Sequence, residues 1–169
     1  MRSPSVLILD APSPIRHLVP VLPALVLAAG LVAAQPPRPA GIRLGDLTWV
    51  EAEKILDSST VIVVPLGAES KEHGPQLRLK NDFLLATYYA DRVLAAAKVV
   101  IAPTINYSFY PAFVEYPGST TLRLETARDM IVDICRSFAR YGPRRCYILN
   151  TGVSTVRALR PAQDSLAAS

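Results

Sequence analysis

The sequence predicts an α/β domain with a mainly parallel sheet covered by helices. Two observations carry this: three apolar, β-branched runs of strand length, and a helical pattern after each of them, in strand–helix alternation. A third is what the composition excludes. Of 169 residues half are hydrophobic and 19% charged, with a net charge of +4, far from the disordered regime. The 18 basic residues are spread along the chain, with no Lys/Arg run longer than Arg144–Arg145, so it carries no nucleic-acid footprint. Two cysteines exclude a disulfide-dense scaffold and a four-thiolate zinc module, and His17 and His73 are the only histidines.

Residues 1–34 read as a secretory signal peptide. Arg2 and Arg16 precede an uncharged stretch rich in Leu, Val and Ala from Leu18 to Ala34, and Val32 and Ala34 suit a cleavage site. An uncleaved anchor is the alternative, against which Pro20, Pro23 and Gly30 weigh because they weaken a spanning helix. The expected location is exported, periplasmic or secreted, with a membrane met only through this signal. Residues 35–41, Gln35 to Gly41, form a Pro-rich linker, and residues 42–169 form the domain.

Within the domain, Thr48 and Glu51 stand at capping-box spacing before a short helix, Trp49 to Leu56. Thr60 to Leu66 is a continuous apolar run ending in Pro and Gly, the pattern of a strand buried on both faces. A helix is predicted from Asp82 to Ala97 with Phe83, Leu84, Tyr88 and Leu94 as core positions and Asp91 and Arg92 in water. Lys98 to Thr104 repeats the strand signal. The next helix spans Glu125 to Tyr141, where Met130, Ile131, Ile134, Phe138 and Tyr141 recur at spacings of three and four, and Gly142–Pro143 stops it. Arg145 to Leu149 supplies the third strand, and Ser154 to Ala168 a final helix that Pro161 should interrupt.

Parallel strands joined by right-handed crossovers put their carboxyl ends on one edge, where open α/β sheets bind ligands. Three loops converge there: Gly67–Asn81, Thr104–Leu122 and Asn150–Ser154. The first holds Glu69, Glu72 and His73, with Asp82 just beyond it, the donor types a divalent ion takes. Asp82 could instead cap its helix, and His73 could simply close a turn. The second loop is aromatic, with Tyr107, Phe109, Tyr110, Phe113 and Tyr116 available to wall a pocket or to pack on neighbours. Glu115 reads as a pocket acid or a surface charge, and Gly118 as a backbone position. Gly152–Val153–Ser154 fails as a nucleophile elbow, since Val156 replaces the second glycine and no His follows. Ser154 and Thr155 are instead candidates to bind a carbonyl or anion at a helix start. Cys135 and Cys146 could pair or remain free thiols.

Pro65–Ala68, Glu72–Pro75, Leu77, Leu79 and Asp82 together resemble the signature loop of the creatininase, or creatinine amidohydrolase, family. Tyr107, the Tyr116–Ser119 stretch with Leu122, and Leu149–Asn150 follow in the family's order, and coverage runs from about residue 46 to 159. The resemblance implies a three-layer α/β/α domain, commonly a homo-oligomer, with a zinc or manganese pair at the strand ends. It makes His73 a metal ligand and Asp82 the ligand shared between two ions. The family's Glu two positions before the His meets Lys71 here, and in a loop one residue longer Glu69 and Glu72 are the two candidates for that role. No His or carboxylate stands at the family's second metal-binding His, where this chain reads Asn150 to Thr155, and the His after Gly–Pro is Gln76.

The expectation is a metal-dependent amidohydrolase that cleaves a linear or cyclic C–N amide bond of a small substrate with metal-activated water. One Zn or Mn ion is expected rather than two, held by Glu69 or Glu72 with His73 and Asp82. Glu115 is the candidate catalytic acid, and Tyr107, Tyr116, Gly118, Ser154 and Thr155 are the candidate substrate contacts. The alternative is a non-catalytic exported binding protein that keeps the fold but has lost part of the metal site.

Overall fold

All four strands of the sheet run parallel, in the order β1–β3–β2–β4. The structure, a computed structural model, describes residues 39–168; the expected signal peptide and residues 35–38 of the linker lie outside the described residues. In chain order the elements are β1 (Ile42–Arg43), α1 (Trp49–Ile55), β2 (Val61–Leu66), α2 (Asn81–Ala96), β3 (Val100–Ile101), α3 (Leu124–Ala139), β4 (Arg145–Asn150) and α4 (Val156–Ala167).

The alternation of β2 separates two cores. Ile62, Val64 and Leu66 face one side, where α3 and α4 bring Ile131, Val132, Cys135 and Ala162, while Val63 faces Ala90 of α2 on the other. This is the three-layer α/β/α arrangement. β3 is shorter than the Lys98–Thr104 run suggests because Pro103 has no N–H to add to the ladder. Hydrogen bonding to β2 nevertheless resumes beyond it, with Ile105 N donating to Pro65 O at 2.8 Å and Gly67 N to Ile105 O at 3.0 Å. β1 was not legible as a strand, being two residues paired only to β3.

The Thr48–Glu51 capping box is formed and opens α1 as predicted. In α2, however, Leu84 and Tyr88 are 47% and 57% exposed, and the buried stripe is Asp82, Ala86 and Ala90. The inversion of the expected face has a steric cause. A Cβ on Gly67 would stand 2.3 Å from Asp82 O and 2.8 Å from Ala86 Cβ, so the first turns of α2 touch the β2 backbone and only small side chains fit. Tyr141 lies past the end of α3 and is exposed, whereas Met130, Ile134 and Phe138 pack on the core. Gly142, at φ +118° and against Asp57 Cα, makes the stop. Pro161 does not interrupt α4: one missing N–H is outweighed by a face that buries Ala158 and Ala162 and packs Leu159 and Leu166 on the core.

Cys135 of α3 and Cys146 of β4 are free thiols with sulfurs 3.0 Å apart. Their hydrogen bond holds the Cys135 thiol below its ordinary pKa and, aided by burial, pushes that of Cys146 up. Oxidised glutathione should join them with the loss of two hydrogens by intact mass and a gain of about 2–4 kcal/mol in stability; thiols that stay fully alkylatable after oxidation would contradict this. Replacing Gly67 by Ala should destabilise the protein by about 1–3 kcal/mol or more in urea unfolding, because the added methyl meets backbone that cannot yield.

Candidate functional site

At the carboxyl end of β2 the chain turns through Gly67 and Ala68 and meets α2 again, where Phe83 N donates to Ala68 O at 3.0 Å. Thr151, just past β4, ties the same point from the other side. Its hydroxyl lies within hydrogen-bond reach of Leu66 O at 3.1 Å and Asp82 O at 3.0 Å. Asp82 is thereby fixed in the first turn of α2 between two strand ends. It is not the helix cap, a position taken by Lys80 without a side-chain bond.

The Asp82 carboxylate is only 6% exposed, and its two oxygens have different company. Lys71 Nζ donates to Oδ2 at 2.6 Å, and Lys71 is itself 7% exposed. The ammonium also lies 5.1 Å from the Phe113 ring centroid and 5.5 Å from that of Tyr110. His73 Nε2 stands 2.9 Å from Oδ1, a charge-contact distance, yet the approach is off the line that N–H donation needs. Both ring nitrogens of His73 are buried and without a hydrogen bond, as are Ser108 Oγ and the Tyr110 hydroxyl. Burial, reinforced by the Asp82 charge, raises the Tyr110 pKa far above its ordinary value and keeps the phenol protonated.

The other candidate residues are placed differently. Glu69 is exposed and accepts from Asn106 Nδ2 at 2.9 Å, while Glu72 is half-buried and accepts from the Gly74 N–H. Neither joins His73 and Asp82: among the described residues no three His, Cys, Asp or Glu side chains converge as a metal group. Glu115, Tyr107 and Tyr116 are exposed on the second loop. Gly118 has φ +88°, and its carbonyl accepts from Ser70 Oγ at 2.5 Å. Ser154 is half-buried beside the start of α4. Thr155 is buried, with its hydroxyl 2.6 Å from Asn150 Oδ1, so it closes the turn between β4 and α4.

Lys71 is the residue at this site that the sequence did not point to as a partner of Asp82, while Tyr110, one of the aromatics expected to wall a pocket, lies beside it. The signal was a lysine inside a carboxylate-rich loop that follows a fully buried strand. A lysine there must find an anion or leave the loop.

The creatininase pattern, described as creatinine amidohydrolase, matches residues 45–169. The chain belongs to the creatininase family. Among its relatives, a creatinine amidohydrolase of Pseudomonas putida is 30% identical over 113 residues, 63% of this chain and 43% of the relative. A mycofactocin precursor peptide peptidase of Mycobacterium tuberculosis is 28% identical over 135 residues, 74% of this chain and 53% of its own. This creatininase-family chain thus spans about half the length of these relatives, or less. Two solved creatininase structures, one with Mn and one a mutant of Zn–Zn type, share 27% identity at TM-scores of 0.66 and 0.63. They cover 76% and 75% of this chain and 53% and 52% of theirs.

The donor set can be tested against the divalent ions of those structures. Two ligand atoms each about 2.1 Å from a tetrahedral ion stand roughly 3.4 Å apart, whereas His73 Nε2 and Asp82 Oδ1 are 2.9 Å apart, so the two would have to part slightly to admit one. His73 and Asp82 supply two of the about three protein ligands that a catalytic ion takes, and no third joins them among the described residues. A pair of ions does not fit, because the second carboxylate oxygen is held by an ammonium.

Asp82→Asn should cost about 3–5 kcal/mol in denaturant unfolding, since it leaves the Lys71 ammonium buried without its counter-charge. The double variant with Lys71→Met should recover much of that loss; equal instability of single and double variants would show that the pair is not the source.

Proposed function

We propose that this strand-end site is a single-ion hydrolytic centre acting on a C–N amide bond, linear or cyclic, of a small molecule. The observation that carries it is the buried His73 imidazole, with both nitrogens unbonded and one beside Asp82 Oδ1. The names of the relatives, an amidohydrolase and a peptide peptidase, support the bond type. An ion bound by His73 and Asp82 would polarise the carbonyl and lower the pKa of a bound water.

The chain's own residues set the surroundings. Lys71 balances the single charge of the Asp82 carboxylate, so the pair is close to neutral before any ion arrives. Phe113 and Tyr110 shield that pair from water, while the exposed rings of Tyr107 and Tyr116 offer flat apolar surface to a substrate. Glu115, on the same loop, is the carboxylate proposed to move a proton. The protein would act after export, as a homo-oligomer.

A second reading, a ligand-binding member without turnover, is favoured by one observation: the Asp82 carboxylate already has a cation, and no third ligand joins it among the described residues. The two readings separate in one assay. Protein supplied with Mn2+ or Zn2+ should convert at least one member of a panel of linear and cyclic amides, followed by mass spectrometry. His73→Ala should lower kcat/KM by roughly 100-fold or more, the scale of a lost Lewis-acid ion, and Glu115→Gln should lower kcat with metal content unchanged. Amide binding without turnover, indifferent to chelator, would favour the binder.

A further inference from the structure

Asp82 presents its two carboxylate oxygens to two different partners, and only one of them is a metal-type donor. Oδ1 is 2.9 Å from His73 Nε2, and Oδ2 is 2.6 Å from Lys71 Nζ. One solved relative is of Zn–Zn type, and a carboxylate shared between two ions would face a cation on each of its oxygens. Here one side is covered by an organic cation. We propose that the Lys71 ammonium is a built-in substitute for a divalent ion, so that the residues present do not fit the two ions of the Zn–Zn structure.

Three observations favour this over an ordinary structural ion pair. The pair lies at the carboxyl ends of the strands, the edge where this fold binds ligands. Its cation is caged. Lys71 N donates to Leu79 O at 3.3 Å, and the Phe113 and Tyr110 rings flank the ammonium, so the charge is held in place with little freedom to swing away. Finally, the neighbouring imidazole is left without any hydrogen bond, although a buried His serving only the fold would be expected to make one. Lysine neutralises one charge where a divalent ion would bring two, and it cannot activate water. It therefore holds the Asp82 carboxylate in place and leaves only the His73 side open to an ion.

The inference deepens the single-ion reading above and is tested on the full chain, stripped of metal and titrated with ZnCl2 or MnCl2 by calorimetry. Thermal unfolding is followed with and without EDTA. Lys71→Glu should bind one equivalent more than the unsubstituted protein. In EDTA its Tm should fall, and added zinc should raise it by more than it raises that of the unsubstituted protein. Should Lys71→Glu fail to fold, Lys71→Met carries the test: its Tm should drop in EDTA and recover with metal, while Lys71→Arg behaves like the starting protein. Equal stoichiometry and equal metal-dependent shifts across the foldable variants would overturn the proposal. A starting protein that binds no ion, beside a Lys71→Glu variant that gains one, would uphold the substitution and refute the hydrolytic reading alone.

Discussion

A carboxylate set almost wholly out of water at the mouth of a sheet cannot stay charged without a positive partner, and the site is organised around supplying one to Asp82. Desolvation costs several kcal/mol per ion, and only close geometry with further contacts offsets it. The contacts are present: a short Lys71 bond, two aromatic rings beside the ammonium, and Thr151 within reach of the Asp82 carbonyl. The backbone contact at Gly67 brings that carbonyl to the strand end in the first place. Close approach, buried acid and internal cation are successive consequences of one another.

Much of the fold was legible because local signals and tertiary packing agree. The β2 run is apolar on both faces and is buried on both; Gly142 stops α3 because its positive φ and the adjacent Asp57 backbone leave no room for a side chain. Where expectation and structure part, tertiary contact overrides periodicity. Leu84 and Tyr88 satisfy a helical apolar spacing, yet α2 lies so near the β2 backbone that alanines take the inner face. No window of sequence reports that distance. Pro161 illustrates the reverse case, in which a local breaker is tolerated because both sides of it are anchored to the same core.

The meeting of His73 with Asp82 was legible in the sequence, and the partner of the second carboxylate oxygen was not. His73 and Asp82 stand nine residues apart and do meet. That neither Glu69 nor Glu72 joins them could not be read, because a one-residue difference in loop length decides which side chain turns inward. The residue that turns in is Lys71, flanked by Ser70, bonded to Gly118, and Glu72, whose N–H is bonded to Ser119 Oγ. Thr155 looked like a ligand-binding hydroxyl from its place at a helix start. Its burial and its bond to Asn150 give it a turn-closing role, a distinction that three-dimensional contact alone supplies.

The two rim loops are stitched through Ser70, Gly118, Ser119 and Thr120, largely by main-chain groups, while the rings of Tyr107 and Tyr116 point into solvent. Framework and fingertips are therefore separable. The exposed rings can change without disturbing the register of the stitching, so this rim can drift in evolution, or be redrawn by a designer, while the Asp82–Lys71 pair beneath keeps its geometry.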